Sequence, residues 1–320
     1  MKIIFTSVGR RVELIQCFKE AATNLKINLS VHGSDINKTA PALYFCDEYV
    51  ISPRINDENY ILFLIEYCKK NSINALIPTI DTDLIKLSEN RKLFEDIGTL
   101  VFISDLDKVK ICRDKILTYN FFNDLGLSSP KPYNDYQNYI EGFPAFIKPI
   151  DGSSSISTYK VNSIDQLKLF ANIVPNYIIQ KFINGVEYSV DALCDYEGNP
   201  IFITPRIRLA VRSGEVLKTQ FVHDNKIIEE TKKILSIFKP RGQISIQLIR
   251  EKDTNIDYFI EINPRFGGGS PLSIKAGANS SEQLLRLLNN EKVKYIENAA
   301  EEGAIYSRFD QSIRVDKWLR

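Results

Sequence analysis

Short apolar strands alternate with helical stretches through the first hundred residues, and this alternation constrains the fold more than any other feature of the chain. Lys2–Thr6 is a compact apolar strand; Ser7-Val8-Gly9-Arg10 then turns into a helix reaching about residue 25. Further strands are predicted at 29–33, 48–51, 74–78 and 100–103, with helices at 60–70 and 84–94 between them. In the first of these helices Ile61, Leu64, Ile65 and Cys68 recur at the spacing that sets one apolar stripe against a sheet. Strand and helix in this rhythm predict parallel βαβ units, a Rossmann-like α/β domain over residues 1–104. Such sheets bind ligands beyond the carboxyl ends of their strands, here at 6–10, Ser34-Asp35 and 79–83. The first loop has one glycine where a dinucleotide fingerprint needs three, which argues against NAD. Gly9, Arg10, Asp81 and Asp83 are the candidate substrate contacts of these loops. The two aspartates keep two readings, helix N-caps or carboxylates facing an amine-bearing substrate.

Beyond residue 105 the texture changes. A helix over 113–124 ends at Leu125-Gly126, a glycine C-cap. Strands are predicted at 145–148, 157–161, 177–181, 188–194 and 200–208, with helices at 165–172 and 229–238. Sheets interrupted by single helices point to α+β lobes. Two of them divide residues 105–290, lobe A about 105–180 and lobe B about 181–290, with 291–320 as a C-terminal extension.

Composition excludes several function classes. Lys and Arg total 41 against 40 for Asp and Glu, a net charge of +1, so no polyanion such as nucleic acid is an expected partner. No run of about 18 apolar residues is present to span a membrane. The opening apolar run is too short for a signal peptide, so a cytoplasmic location is expected. The five cysteines form no CxxC pair and read as free thiols, and two histidines cannot build a His-rich metal site.

The strongest chemical signal is a predicted hairpin, 242–250 and 258–262, joined by the polar turn 251–255. Strict alternation sets Ser245 and Gln247 opposite Ile244, Ile246 and Leu248 in facing. On the partner strand it groups Phe259, Glu261 and Asn263 against Ile260 and Ile262. Gln247, Glu261 and Asn263 then converge as an oxygen donor set suited to magnesium shared with phosphate. Arg265 follows at once, placed to touch the γ-phosphate.

The run Glu261-Ile262-Asn263-Pro264-Arg265, followed by Phe266-Gly267-Gly268-Gly269-Ser270, resembles the metal-binding end of ATP-grasp enzymes. The likeness is to the synthetase units of the carbamoyl-phosphate synthetase large subunit in particular. Other segments resemble the family in the same order. Asp114-Lys115 resembles the family's helix start whose cation reaches the nucleotide phosphates, and Phe146-Ile147-Lys148-Pro149 resembles the strand whose lysine, here Lys148, contacts the α- and β-phosphates. Ser153, Ser154 and Ser155 stand in place of the glycine-rich lid. Residues 177–191 resemble the hinge between the two lobes, which implies Gln180, Lys181, Phe182 and Ile183 around adenine and Glu187 on the ribose. Arg206, Arg212 and Lys218 belong to a cation-rich segment that lines the phosphate and substrate side of the cleft, with Gly268 in the substrate loop.

This resemblance implies a pre-ATP-grasp domain followed by a two-lobed ATP-grasp domain. It implies ATP with magnesium, manganese being an alternative metal, and a homodimer as the assembly. The activity implied is a carboxylate–amine (or thiol-type) ligase forming an acyl phosphate, with a sugar acid, amino acid or peptide as substrate. Its rivals are a phosphotransferase on the same clamp and a non-catalytic nucleotide sensor.

Overall fold

The computed structural model describes residues 1–151 and 156–316. Five parallel strands form the first sheet: β1 (Lys2–Thr6), β2 (Ser30–Asp35), β3 (Glu48–Ile51), β4 (Ala75–Pro78) and β5 (Leu100–Val101). Their order is β3-β2-β1-β4-β5, so the chain reverses direction beside β1 and opens the crevice typical of a doubly wound sheet. One face buries Ile4 and Leu76 against Tyr60, Leu64 and Cys68. The other buries Ile3 and Phe5 against Leu14, Ile15 and Phe18 of the helix Val12–Asn24. Near its end the predicted helix 84–94 is broken into Leu84–Glu89 and Arg91–Glu95. Asn90 leaves helical geometry there, and its amide donates to the Lys86 carbonyl at 2.8 Å, a local bond that competes with the helix.

Residues 106–124 form two helices. Asp114 ends the first, Leu106–Arg113, and caps the second, Lys115–Asp124, accepting from the N–H groups of Ile116 and Leu117. A small antiparallel sheet follows, β6 (Ala145–Pro149), β7 (Tyr159–Val161) and β8 (Tyr177–Lys181), in the order β7-β6-β8. The largest sheet is antiparallel: β9 (Gly185–Cys194), β10 (Pro200–Arg212), β11 (Glu215–Phe221), β12 (Gly242–Glu251), β13 (Asp257–Asn263) and β14 (Ile305–Ser307). Its order is β13-β12-β9-β10-β11-β14. An α/β sheet followed by two α+β lobes is the architecture read from the residues.

Two strands escaped that reading. The cation-rich run beyond 205 folds back on itself, with Ser213 (φ +50°) and Gly214 (φ +78°) forming the tight turn that produces β11. β14 comes from the segment expected to be an extension and covers the β11 edge. The first sheet is welded to the largest by shared core: Phe266 and Leu272 are buried with Phe18, and the Phe18 and Phe266 rings meet edge to face at 5.6 Å.

Among the described residues, no helix is long and apolar enough to cross a membrane.

Candidate active site

Strand register builds the centre of the site. Glu261 on β13 lies opposite Gln247 on β12, Gln247 opposite Ser189 on β9, and Ser189 opposite Arg206 on β10. These four side chains form one rung across the sheet and line one depression. Asn263 belongs to the next rung, and its Nδ2 donates to Glu261 Oε1 at 3.0 Å. Gln247, Glu261 and Asn263 therefore share a face, but the alternation leading to them is interrupted. A register shift between Gln247 and Leu248 leaves Ile260 as an extra residue. The bulge turns Phe259 into the core, 5.3 Å from the Phe122 ring, and sends Ile260 into the cleft. Strict alternation assigned those two residues to the wrong faces.

The cleft runs between the small sheet and the largest one. Lys148 from β6 and Lys115 at the start of its helix face Glu261 across it. Burial and the neighbouring Lys115 cation push the Lys148 ammonium down to about 8, with the Glu261 carboxylate opposing. Lys115 is lowered too, chiefly by burial, and its Nζ donates to the Ile150 carbonyl at 3.1 Å. Both ammonium groups border one cleft, where burial disfavours their charge. At its far end the cleft is apolar, lined by Phe146, Ile183, Leu248 and Ile260. Gln180 also lines the cleft, its Nε2 donating to the Pro130 carbonyl at 2.6 Å. Lys181 pairs with Glu251 at 3.0 Å, and Glu187 with Arg208 at 3.2 Å. Both border the cleft. Phe182 does not: its ring lies tilted against Phe146 at 5.3 Å and under Lys160, outside the cleft lining. Ser153, Ser154 and Ser155 lie outside the described residues.

A second, more polar cavity adjoins the Glu261 end and reaches the first sheet. Arg265 enters it held by Asp81 through two hydrogen bonds, 2.9 and 2.6 Å, with a third to Asn263 Oδ1 at 3.1 Å. Gly268 and Arg206 line the same space. Other candidates are placed elsewhere. Asp83 is fully buried inside the first domain, accepting from Thr6 and Ser7 at 2.8 and 2.9 Å, and burial raises its pKa to about 6. Gly9 adopts φ +47° and donates its N–H to Asp35, shaping the loop outside the lining of these two cavities. Arg10 is exposed, whereas Arg11 points inward and pairs with Glu215 at 3.4 Å. Both precede the helix Val12–Asn24, Arg10 in the turn with Gly9 and Arg11 at the helix N-cap, so local backbone geometry and not a helical period separates these neighbours. Arg212 pairs with Asp310 on the surface, and Lys218 is exposed beside β14; neither lines either of these two cavities. The turn at Ser213-Gly214 carries that end of the hairpin off the sheet. Arg208, Arg11 and Glu215 are the site residues the sequence did not single out, although Arg208 shares its strand face with Arg206.

Gln247, Glu261 and Asn263 fit a hard divalent cation. They offer one carboxylate and two amide groups on one face of the sheet and in one cavity, a set that leaves coordination positions for phosphate oxygens. No group of three His, Cys, Asp or Glu side chains suited to a metal occurs among the described residues.

Residues 3–102 match the family model described as PylC-like, N-terminal domain, and residues 112–269 match the one described as ATP-grasp domain. The chain belongs to the ATP-grasp superfamily. This ATP-grasp chain is 23% identical over 279 residues to a carbamoyl-phosphate synthase of Methanobrevibacter smithii, covering 79% of this chain and 73% of that protein. It is 24% identical over 279 residues to the tyramine–L-glutamate ligase of Methanocaldococcus jannaschii, covering 82% of this chain and 80% of that one. The carbamoyl phosphate synthase large chain of Thermomicrobium roseum is 25% identical over 193 residues, but the ATP-grasp chain spans only 17% of its length. Among solved structures, N5-carboxyaminoimidazole synthetase from Staphylococcus aureus complexed with ADP has the same fold. Its TM-score is 0.74 at 15% identity, covering 92% of this chain and 78% of that one.

Proposed function

We propose that the chain is a Mg-ATP-dependent carboxylate–amine ligase acting on a small acid. The observation that carries this reading is the meeting of Lys115 and Lys148 with the Gln247–Glu261 rung at the junction of the two cavities. A nucleotide site there opens directly onto a separate polar cavity for the group that receives phosphate. Adenine fits the apolar end beside Gln180 and Ile183, and Glu187 is placed for the ribose hydroxyls. A ligand titration is the direct test of these assignments.

Gln247, Glu261 and Asn263 would hold magnesium, which when bound neutralises charge on the phosphate oxygens. Lys115 and Lys148 bind the phosphates and stabilise negative charge as it moves from the γ-phosphoryl group to the leaving ADP. A substrate carboxylate oxygen attacks the γ-phosphorus, one P–O bond forms, and the bond to ADP breaks. The amine nitrogen then attacks the acyl carbon, the C–N bond forms, phosphate leaves, and the amine proton passes to phosphate or solvent. Arg265, fixed by Asp81, orients toward the acyl phosphate. Small-molecule substrates suit the polar second cavity, and the names of the relatives, tyramine–L-glutamate ligase among them, support amide formation.

The experiment is a screen of acid-plus-amine pairs for ADP release, with mass detection of an amide product. Glu261→Ala is expected to abolish turnover while leaving the far-ultraviolet circular dichroism unchanged. Full activity in that variant, or ADP formation with a phosphorylated product and no amide, would refute the assignment.

A further inference from the structure

Arg206 is 3% exposed, yet among the described residues only its Nε is hydrogen-bonded, to Asp191 Oδ2 at 3.0 Å. Its Nη1 is buried without a partner. Asp191 Oδ2 is also committed to Ser273, whose hydroxyl donates at 2.6 Å. A guanidinium has five N–H donors in a rigid fork, and burying them unmet is costly. The fork borders the second cavity, and two glycines keep the approach clear. A Cβ on Gly269 would lie 2.6 Å from Arg206 Nη2, and one on Gly268 would lie 2.8 Å from Arg11 Nη1. Both guanidinium groups therefore reach the cavity only because the loop has no side chains there.

We propose that Arg206, with Arg11 beside it, anchors a second carboxylate of the substrate, so that the acid activated by this chain is a dicarboxylate. The proposal rests on the ligase reading for the position of the nucleotide. Arg206 and Glu261 stand at opposite ends of one rung of four adjacent strands. At ordinary strand spacing their backbones are about 14 Å apart. Lys148 and Arg206 share no cavity. The carboxylate that meets the γ-phosphate must sit at the Glu261 end, so an acidic group held by Arg206 is a different one. A planar, bidentate fork matches a carboxylate, and the span leaves space for a short carbon chain.

The test is calorimetric titration of the full chain, saturated with MgADP, using glutarate and valerate as probes of equal carbon number. Glutarate is expected to bind at least tenfold tighter, and Arg206→Gln to remove that preference with ADP affinity within twofold. Gly269→Ala tests the same contact without deleting a buried charge, and the same loss is expected. Equal affinity for the two acids with normal ADP binding overturns the anchor and leaves the ligase reading standing. An Arg206→Gln variant that loses ATP but not ADP affinity, with glutarate still preferred, assigns the fork to the γ-phosphate and also overturns it. Failure of the wild-type chain to bind ADP defeats the nucleotide reading and this inference together.

Discussion

Lys148→Met removes one cation from the cleft and keeps an apolar stem of similar length. Burial and Lys115 hold the Lys148 ammonium near 8 rather than the ordinary 10.5. That difference corresponds to at most about 3 kcal/mol of cost for charging the lysine in the ligand-free fold. Because the folded value is the lower one, the unfolded chain holds the proton more tightly between the two values. The destabilisation is therefore complete below pH 8 and is relieved as pH rises from 8 to 10.5. The methionine variant should be more stable than wild type at pH 7, by up to about 3 kcal/mol in urea unfolding, with the gap closing near pH 10. Nucleotide affinity should respond in the opposite sense, because phosphate favours the charged lysine. About nine-tenths of Lys148 is charged at pH 7 and about one-tenth at pH 9, so wild-type Kd for a non-hydrolysable ATP analogue should rise about tenfold over that interval. The variant should bind weakly and show no such pH dependence. A Lys148→Met protein less stable than wild type at pH 7, or a wild-type Kd unchanged at pH 9, would refute the reasoning.

Three further outcomes test the packing around the site. Asp81 and Arg265 are 12% and 13% exposed, so Asp81→Ala should cost about 3 kcal/mol by leaving a buried guanidinium uncompensated. A double-mutant cycle with Arg265→Ala should recover at least about 1 kcal/mol; additive effects would show that the pair is not coupled. Asp83→Asn should stabilise the fold above pH 6 by up to about 3 kcal/mol, since burial raises the Asp83 pKa from 3.8 to about 6. Wild type gains that stability as pH falls from 6 toward 3.8, so the two unfolding curves should converge there; a constant gap would contradict it. Phe266→Ala should cost about 3–5 kcal/mol through the cavity left against Phe18, read by denaturant midpoint, and a loss below about 1 kcal/mol would mean that the domain contact relaxes freely.

The parts of the fold visible in the residues are those where local pattern and final environment agree. Ile61, Leu64 and Cys68 state a helical period, and the sheet they meet needs that stripe. The Glu261-Ile262-Asn263-Pro264-Arg265 run sits on a hairpin whose polar turn is explicit. Helix Lys115–Asp124 announces its start with Asp114, which caps it in the structure. β11 stayed hidden because Arg206, Arg208, Arg212 and Lys218 read as one charged run. Only the pairing of that run with β9 and its own return strand divides them into cleft, surface and edge.

By itself, then, the sequence determined the βαβ character of the first hundred residues, the helix opened by Asp114 and the shared face of Gln247, Glu261 and Asn263. All of these depend on spacings within a strand, a helix or one hairpin. Tertiary structure decided which cations serve the cleft: Arg11 over Arg10, and Arg206 and Arg208 over Arg212 and Lys218. It also decided the partner of Arg265, since Asp81 stands 184 residues away in the chain. The hairpin end at Glu261 therefore emerged as a junction, with Lys148 on one side and the first sheet on the other. Long-range packing sets side-chain direction and ion pairing, and no local period in the chain encodes either.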